Sequence, residues 1–309
     1  MRWKTATILG AIALAALLLL RFSPDGTPTV AAPGALALPT QPALWLYRPA
    51  TSAWLVWTPV EGSRTLTTIG APGDVPVRAT TSNPSGAWFG TFQPSTGSWT
   101  FQDSSGGEAR SGRAYLGQSG DIAVPGNYIG DTRIDVAVFR PSTGSWHIRD
   151  GASGQIVAVR WGVDGDLPVP ADYDGDGQAE LGVWRPATGT WYIARPDGHP
   201  LATVAWGQAG DVPVPGNYAG DGAAELAVFR PGNSAWYVRP LKDVPLSPIG
   251  FGQAGDVPAP VDLEGTGRVQ PAVWRPSARR WFVHGDKGSP IVAAFGAEGD
   301  VPVVAGAQR

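Results

Sequence analysis

The sequence predicts an all-β, six-bladed β-propeller built from four-stranded blades of about 45 residues. Three observations predict it. A tryptophan returns at a nearly fixed interval, turn-forming residues fall at the same place in every interval, and the chain starts and stops in the middle of a unit. The tryptophans are Trp54, Trp99, Trp146, Trp191, Trp236 and Trp281, spaced 45, 47, 45, 45 and 45 residues apart. A period of this length is the mark of a repeat architecture, and four short antiparallel strands fit within it.

Each unit has the same grammar. An Arg-Pro pair precedes the tryptophan at Arg48, Arg140, Arg185, Arg230 and Arg275, and Gln93-Pro94 replaces it in the second copy. A Gly-Asp pair ends at Asp74, Asp121, Asp166, Asp211, Asp256 and Asp300. Pro stands two positions later in all but the Asp121 copy, where Ala123 takes its place. The fourth copy is the clearest. Leu167–Tyr173 reads as a short extended piece, Asp172–Glu180 as a loop and Leu181–Arg185 as a strand. Pro186–Thr190 is a hairpin turn, Trp191–Ala194 a third strand, Pro196-Asp197-Gly198 another turn and Ala202–Trp206 a fourth strand. No stretch after residue 42 carries a 3.6-residue period, so no helix is expected there.

The ends fit a closed ring. Ala43–Arg48 aligns with a second strand, and Gly299–Val304 is a first strand with nothing after it. The last strand therefore completes the first blade and leaves no unpaired edge. An open solenoid is the alternative, and it needs capping repeats that the sequence lacks.

Composition agrees with short aromatic strands joined by turns. The chain has 309 residues, with 42 Gly and 30 Pro, yet it also carries 14 Trp, which a disordered chain would not. Net charge is −3 without a run of either sign, so no basic face for nucleic acid is present. The absence of cysteine excludes disulfides, thiol catalysis and Cys-ligated zinc.

Residues 1–22 read as a signal peptide or membrane anchor. Arg2 and Lys4 precede the uncharged run Thr5–Leu20, and such a basic end stays inside while the apolar helix enters the membrane. Arg21 follows without an adjacent small-x-small site, and Ala35-Leu36-Ala37 lies far downstream, which favours an uncleaved anchor. Residues 23–41, rich in Pro, Ala and Thr, read as a tether, and 42–309 as the propeller. Either fate of the first segment puts the rest of the chain outside the cytoplasm, in the periplasm, at the cell surface or secreted.

The strongest chemistry is Asp172-Tyr173-Asp174-Gly175-Asp176-Gly177-Gln178-Ala179-Glu180. Carboxylates stand at loop positions 1, 3, 5 and 9, Gly177 permits the sharp turn, and Gln178 offers a backbone carbonyl. Calcium takes six to eight oxygens, and alternate residues of a curled loop point inward to supply them. An EF-hand would carry its last ligand at position 12 between helices, whereas a strand follows here. A plain Asp/Gly-rich hairpin is the competing reading.

The segment Trp161–Trp191 resembles the FG-GAP/VCBS type of repeat, found in integrin-α-like propellers and many exported bacterial proteins. The resemblance covers residues 43–304 through the repeats, with the complete metal motif once. It implies calcium at Asp172, Asp174, Asp176, Gln178 and Glu180. The other copies depart from the motif. The third offers Asn127, Asp131 and Asp135 but has Ile129 at position 3, and the fifth offers Asn217, Asp221 and Glu225 but has Ala219. The sixth has Asp262, Glu264, Thr266 and Gln270, and the second has Thr80, Ser82 and Pro84.

Residues that recur in every unit serve what every unit needs. The tryptophans are expected to pack between blades, and the Arg and Asp residues to pair across neighbouring blades. His147, His199 and His284 come from different units without ligand spacing, and no nucleophile elbow or phosphate loop is present. The expected function is therefore non-catalytic binding or adhesion toward a protein or glycan. A lectin with several inter-blade sugar pockets is the second reading, and a polysaccharide hydrolase or lyase the third.

Overall fold

The computed structural model describes residues 20–22, 28–30, 38–39, 42–79, 88–104, 110–131, 133–285 and 289–305. The chain divides into two compact units, Met1–Leu36 and Ala37–Arg309. In the first, Leu20–Phe22 pairs antiparallel with Pro28–Val30. The expected apolar anchor helix lies outside the described residues except for Leu20, which opens this hairpin. Among the described residues no helix is long and apolar enough to cross a membrane.

The second unit is a six-bladed β-propeller, each blade a four-stranded antiparallel sheet, with strands in chain order in blades 2 to 6. Blade 4 is typical: Leu167–Pro168, Leu181–Arg185, Thr190–Ala194 and Pro200–Ala205. The first strand is short because the Gly/Asp loop takes over after two paired residues. The fourth strand of blade 3, Ile156–Arg160, is solvent-exposed along nearly its whole length. The described part of the unit has no α-helix, only a 3-10 turn at Pro276–Ala278.

The ring closes as the chain ends foretold. Val301 pairs with Tyr47 and Pro302 with Leu46, so Val301–Pro302 becomes the first strand of blade 1. Val303 N–H adds a bond to the Trp45 carbonyl at 3.0 Å.

The apolar core lies between the sheets. Val124, Phe139, Trp146 and Ile148 of blade 3 pack with Leu181 and Val183 of blade 4. Trp184, Trp191 and Ile193 of blade 4 meet Leu226 and Val228 of blade 5 in the same way. At the seam, Leu44 and Leu46 of blade 1 pack with Trp274 and Trp281 of blade 6. All six repeated tryptophans are buried, with exposures of 0–1%. Burying an indole removes about 200 Å² from water, a gross gain of roughly 5 kcal/mol each. In blades 2 to 5 the indole N–H also donates to a backbone carbonyl, as from Trp191 to Trp206 at 2.8 Å and from Trp146 to Trp161 at 2.8 Å. The tryptophans are scaffold, as expected.

The repeated Arg and Asp pair within one blade, not across neighbours, which corrects the sequence expectation. Arg185 Nε and Nη2 reach Asp166 Oδ1 and Oδ2 at 2.8 and 3.0 Å. Arg48–Asp300, Arg140–Asp121, Arg230–Asp211 and Arg275–Asp256 repeat the fork. The reason is local geometry. The aspartate closes a tight turn before the first strand, in which Val163 N–H donates to Asp166 Oδ2 at 3.0 Å and Gly165 takes φ +84°. The arginine ends the adjacent second strand, whose residue Trp184 is paired with Leu167.

Asp211→Ala removes a carboxylate that is 6% exposed and leaves Arg230 and the Gln208 N–H without it. We expect a loss of about 2–3 kcal/mol, a fall in thermal midpoint of roughly 5–10 °C by calorimetry. An unchanged midpoint would show that the fork contributes no net stability.

Candidate metal centre

The loop Asp172–Glu180 joins the first and second strands of blade 4. It is pinned at its base by the Glu180 N–H to the Ala171 carbonyl at 2.9 Å, and by the Tyr173 hydroxyl to the Val169 carbonyl at 2.6 Å. Gly175 and Gly177 take φ of +83° and +90°, a region costly for residues with a Cβ. Their turns wind the backbone around the first aspartate. Asp172 Oδ1 accepts from the N–H groups of Gly175 and Asp176, and Oδ2 from that of Gly177, at 2.7, 3.1 and 2.8 Å.

This winding gathers carboxylates. Oxygens of Asp172, Asp174 and Asp176 lie within 4.8 Å of one another. Glu180, 1% exposed, receives the Tyr173 N–H on Oε2 at 2.7 Å. Its other oxygen, Oε1, is buried with no partner, and so is Asp174 Oδ1. Arg195, at the end of the third strand, approaches Asp174 Oδ2 at 3.5 Å. Burial, first of all, pushes the Glu180 carboxyl up to about 7, and the charges of Asp174, Asp172 and Asp176 push the same way against the Tyr173 hydrogen bond. Asp172 is raised for the same first cause. Orphaned carboxylate oxygens beside a three-aspartate cluster are costly without a cation. Hard oxygen donors of this kind suit calcium.

The structure thus brings Asp172, Asp174 and Asp176 together. The Gln178 side chain lies instead toward blade 3, where a Cβ on Gly130 would come within 2.7 Å of its Cδ. Next to it, Asn127 of blade 3 donates from Nδ2 to the Gly177 carbonyl at 2.9 Å and accepts at its own carbonyl from the Ala179 N–H at 2.7 Å. Blades 5 and 6 repeat the link, with Asn217 Nδ2 on the Gly267 carbonyl at 2.8 Å. Blades 4 and 5 are joined by the Ala224 N–H and the Asp172 carbonyl at 2.6 Å. These inter-loop bonds were missed by sequence reasoning, though the alternation Asn127, Asp172, Asn217, Asp262 at loop position 1 signals them. Arg195 has no such signal.

The degenerate loops satisfy themselves. Asp135 accepts three backbone N–H groups, from Tyr128, Ile129 and Gly151 at 2.8, 3.1 and 2.9 Å. Glu225 accepts from Tyr218 and Ala219, and Gln270 from Leu263. Among the described residues only blade 4 holds a cluster of three carboxylates. The histidines stand apart. His147 takes the strand position of Tyr192 and is lowered in pKa by burial first and by Arg140 second. His199 is exposed beside Asp197, and His284 packs edge-on to Phe251.

No family model and no curated protein matches the chain. Solved structures do. A streptogramin B lyase aligns with TM-score 0.54 and 11% identity over 91% of this chain and 84% of that one. A lectin of Agrocybe aegerita that recognises non-reducing terminal N-acetylglucosamine aligns with TM-score 0.50 and 14% identity over 87% and 84%. BBS1N in complex with ARL6DN aligns with TM-score 0.50 and 11% identity over 89% and 86%. They share a fold. At such identities the likeness reaches no further, because one fold hosts enzymes, lectins and protein-binding modules alike.

The raised Glu180 carboxyl gives a pH signature in metal-free protein. The folded state holds this proton more tightly than the unfolded one, so the contribution is present below pH 4.5 and lost as pH rises through about 7. The midpoint in chelator is expected to fall across that window. Glu180→Gln should flatten the fall, since Gln270 fills the same loop position in blade 6. A chelated wild type with the same slope as Glu180→Gln would refute the assignment.

Proposed function

We propose that the chain is an extracytoplasmic, non-catalytic binding or adhesion propeller of the FG-GAP/VCBS type, carrying one structural calcium in blade 4 and recognising a protein or glycan. The observation that carries the calcium is the pair of buried, unpartnered oxygens, Asp174 Oδ1 within the three-aspartate cluster and Glu180 Oε1, whose carboxyl feels the charge of all three aspartates. Asp172, Asp174, Asp176 and Glu180 would hold the ion by side-chain oxygens and Gln178 by its carbonyl. The ion neutralises a loop whose carbonyl and amide groups already tie blade 4 to blades 3 and 5. Its role is to stiffen that junction. Export is supported by Arg2 and Lys4 ahead of the apolar run Thr5–Leu20.

Binding without turnover is supported by the dispersal of the three histidines and by the use of most repeated charges in framework pairs. The glycan-specific reading, a lectin with equivalent pockets between blades, has the Agrocybe aegerita lectin as a neighbour in fold. Against it, the repeated tryptophans are buried, which leaves them no face for a sugar, and five arginines are already paired. The hydrolase or lyase reading has a lyase neighbour in fold. A glycan array and a polysaccharide turnover assay separate these readings.

Calcium at 10 mM is expected to raise the thermal midpoint of the chelated protein by roughly 3–8 °C, given a Kd of about 10⁻⁴–10⁻³ M for an extracellular module. Asp174→Ala should abolish the response. No midpoint shift and no heat on isothermal titration with calcium would remove the metal from the proposal.

A further inference from the structure

Blade 2 keeps the carboxylate of the repeated fork and lacks the guanidinium. Asp74 still closes its turn, accepting the Ala71 N–H on Oδ2 at 2.9 Å. Its Oδ1, the oxygen that receives arginine Nε in the other five blades, is buried with no partner. Gln93 stands in the arginine's place, and its Oε1 is engaged by the Thr96 hydroxyl at 2.7 Å. The ring beneath the guanidinium is missing too. Arg185, Arg230 and Arg275 lie over Tyr192, Tyr237 and Phe282 at 4.3, 4.3 and 4.1 Å from the ring centroids. Thr100 holds that position in blade 2.

The two smaller side chains stand beside a cleft of ≈ 280 Å³ whose walls include Asp74, Gln93, Ser98, Thr100 and Arg113. Past Thr100 and Arg113 it continues into a shallower hollow of ≈ 450 Å³ that reaches Thr68 of blade 1. Arg113 is exposed and forms no ion pair among the described residues. The cleft therefore has a carboxylate with one unpartnered oxygen at one wall and an exposed guanidinium at another.

We propose that this cleft binds a guanidinium-bearing ligand, an arginine side chain of a peptide or free arginine, whose head group takes the place that Arg48, Arg140, Arg185, Arg230 and Arg275 fill within their own blades. The proposal rests on the reading of the chain as a binding propeller and names its ligand chemistry. The molecule itself holds five copies of the expected contact, with Nε on Oδ1 at 2.7–2.8 Å and Nη2 on Oδ2 at 2.8–3.0 Å. A planar fork answers both oxygens of a carboxylate, and a lysine ammonium does not. The hydroxyls of Ser98 and Thr100 suit the remaining N–H groups. Arg113 favours a ligand with a carboxylate near the guanidinium, as in free arginine.

Titration of the full-length protein with L-arginine, Nα-acetyl-arginine amide and L-lysine, followed by calorimetry or NMR, tests it. Both arginine compounds should bind saturably with Kd on the order of 1–5 mM, as expected for a ligand of about a dozen heavy atoms. Lysine should bind at least about tenfold more weakly. Tighter binding of L-arginine identifies the free amino acid as the ligand, and equal affinities identify a peptide side chain. Gln93→Arg supplies the guanidinium from within, as in five other blades, so the variant should fold, gain a few degrees in thermal midpoint and lose arginine binding by about tenfold or more. Absence of saturation, equal binding by Gln93→Arg, equal binding of lysine, or preferential binding of N-acetylglucosamine would overturn the proposal. A blank with arginine in protein that still responds to calcium removes this site alone and leaves the binding propeller in place.

Discussion

The Arg–Asp fork is the contact around which five of the six blades are organised. It joins the turn that enters the first strand to the corner that leaves the second. A two-residue first strand has too few ladder bonds to hold itself, as with Leu167–Pro168 and Val212–Pro213. Charge-assisted, bidentate hydrogen bonds fix its entry instead. The aspartates are 2–8% exposed, and the arginine pKa values are raised chiefly by this bond. With the first strand fixed, its blade offers a rigid apolar face to the next, and the tryptophans can pack without slack. The fork orders a surface that hydrophobic burial then stabilises.

Much of this was legible in the chain because a repeat states its rules six times. The Trp spacing, the Arg-Pro corners and the mid-unit ends determine blade number, strand content and closure. Pairing was harder. Asp166 lies 19 residues before Arg185, and its counterpart Asp211 lies 26 after it, so spacing alone does not choose between a partner in the blade and one beyond it. The turn geometry chooses. The acidic loop was readable as three aspartates at alternate positions, since backbone curl brings alternate residues to one side. Arg195 was not, because nothing in its own segment sets it apart. The anchor reading falls on residues outside the described ones except Leu20–Phe22, which form a strand.

Loop position 1 shows how one substitution divides labour. Asn127 and Asn217 have an amide to give and reach into the following loop, whereas Asp172 and Asp262 turn inward and organise their own backbone. The alternation makes neighbouring loops unlike each other. In blade 4 the inward-turned aspartate coincides with two further aspartates and a buried glutamate, and acidity accumulates there. Blade 6 has the same backbone bonds around Asp262 with Thr266 and Gln270, and no such accumulation. The loop shape thus precedes the acidic cluster, and the shape alone does not create it.

The seam between Arg48 and Asp300 spans 252 residues of chain. Until Val301 and Pro302 arrive, Leu44–Arg48 has an unpaired strand edge and the terminal segment is a loose strand seeking one. Loop-closure entropy makes so distant a contact slow to form. A chain emerging from synthesis therefore carries its first-made blade unfinished until Val301–Pro302 is released. During that interval the nearest complementary strand can belong to another copy. The device that removes edges from the finished ring thus sets the moment at which the nascent protein is most open to exchanging strands with its neighbours.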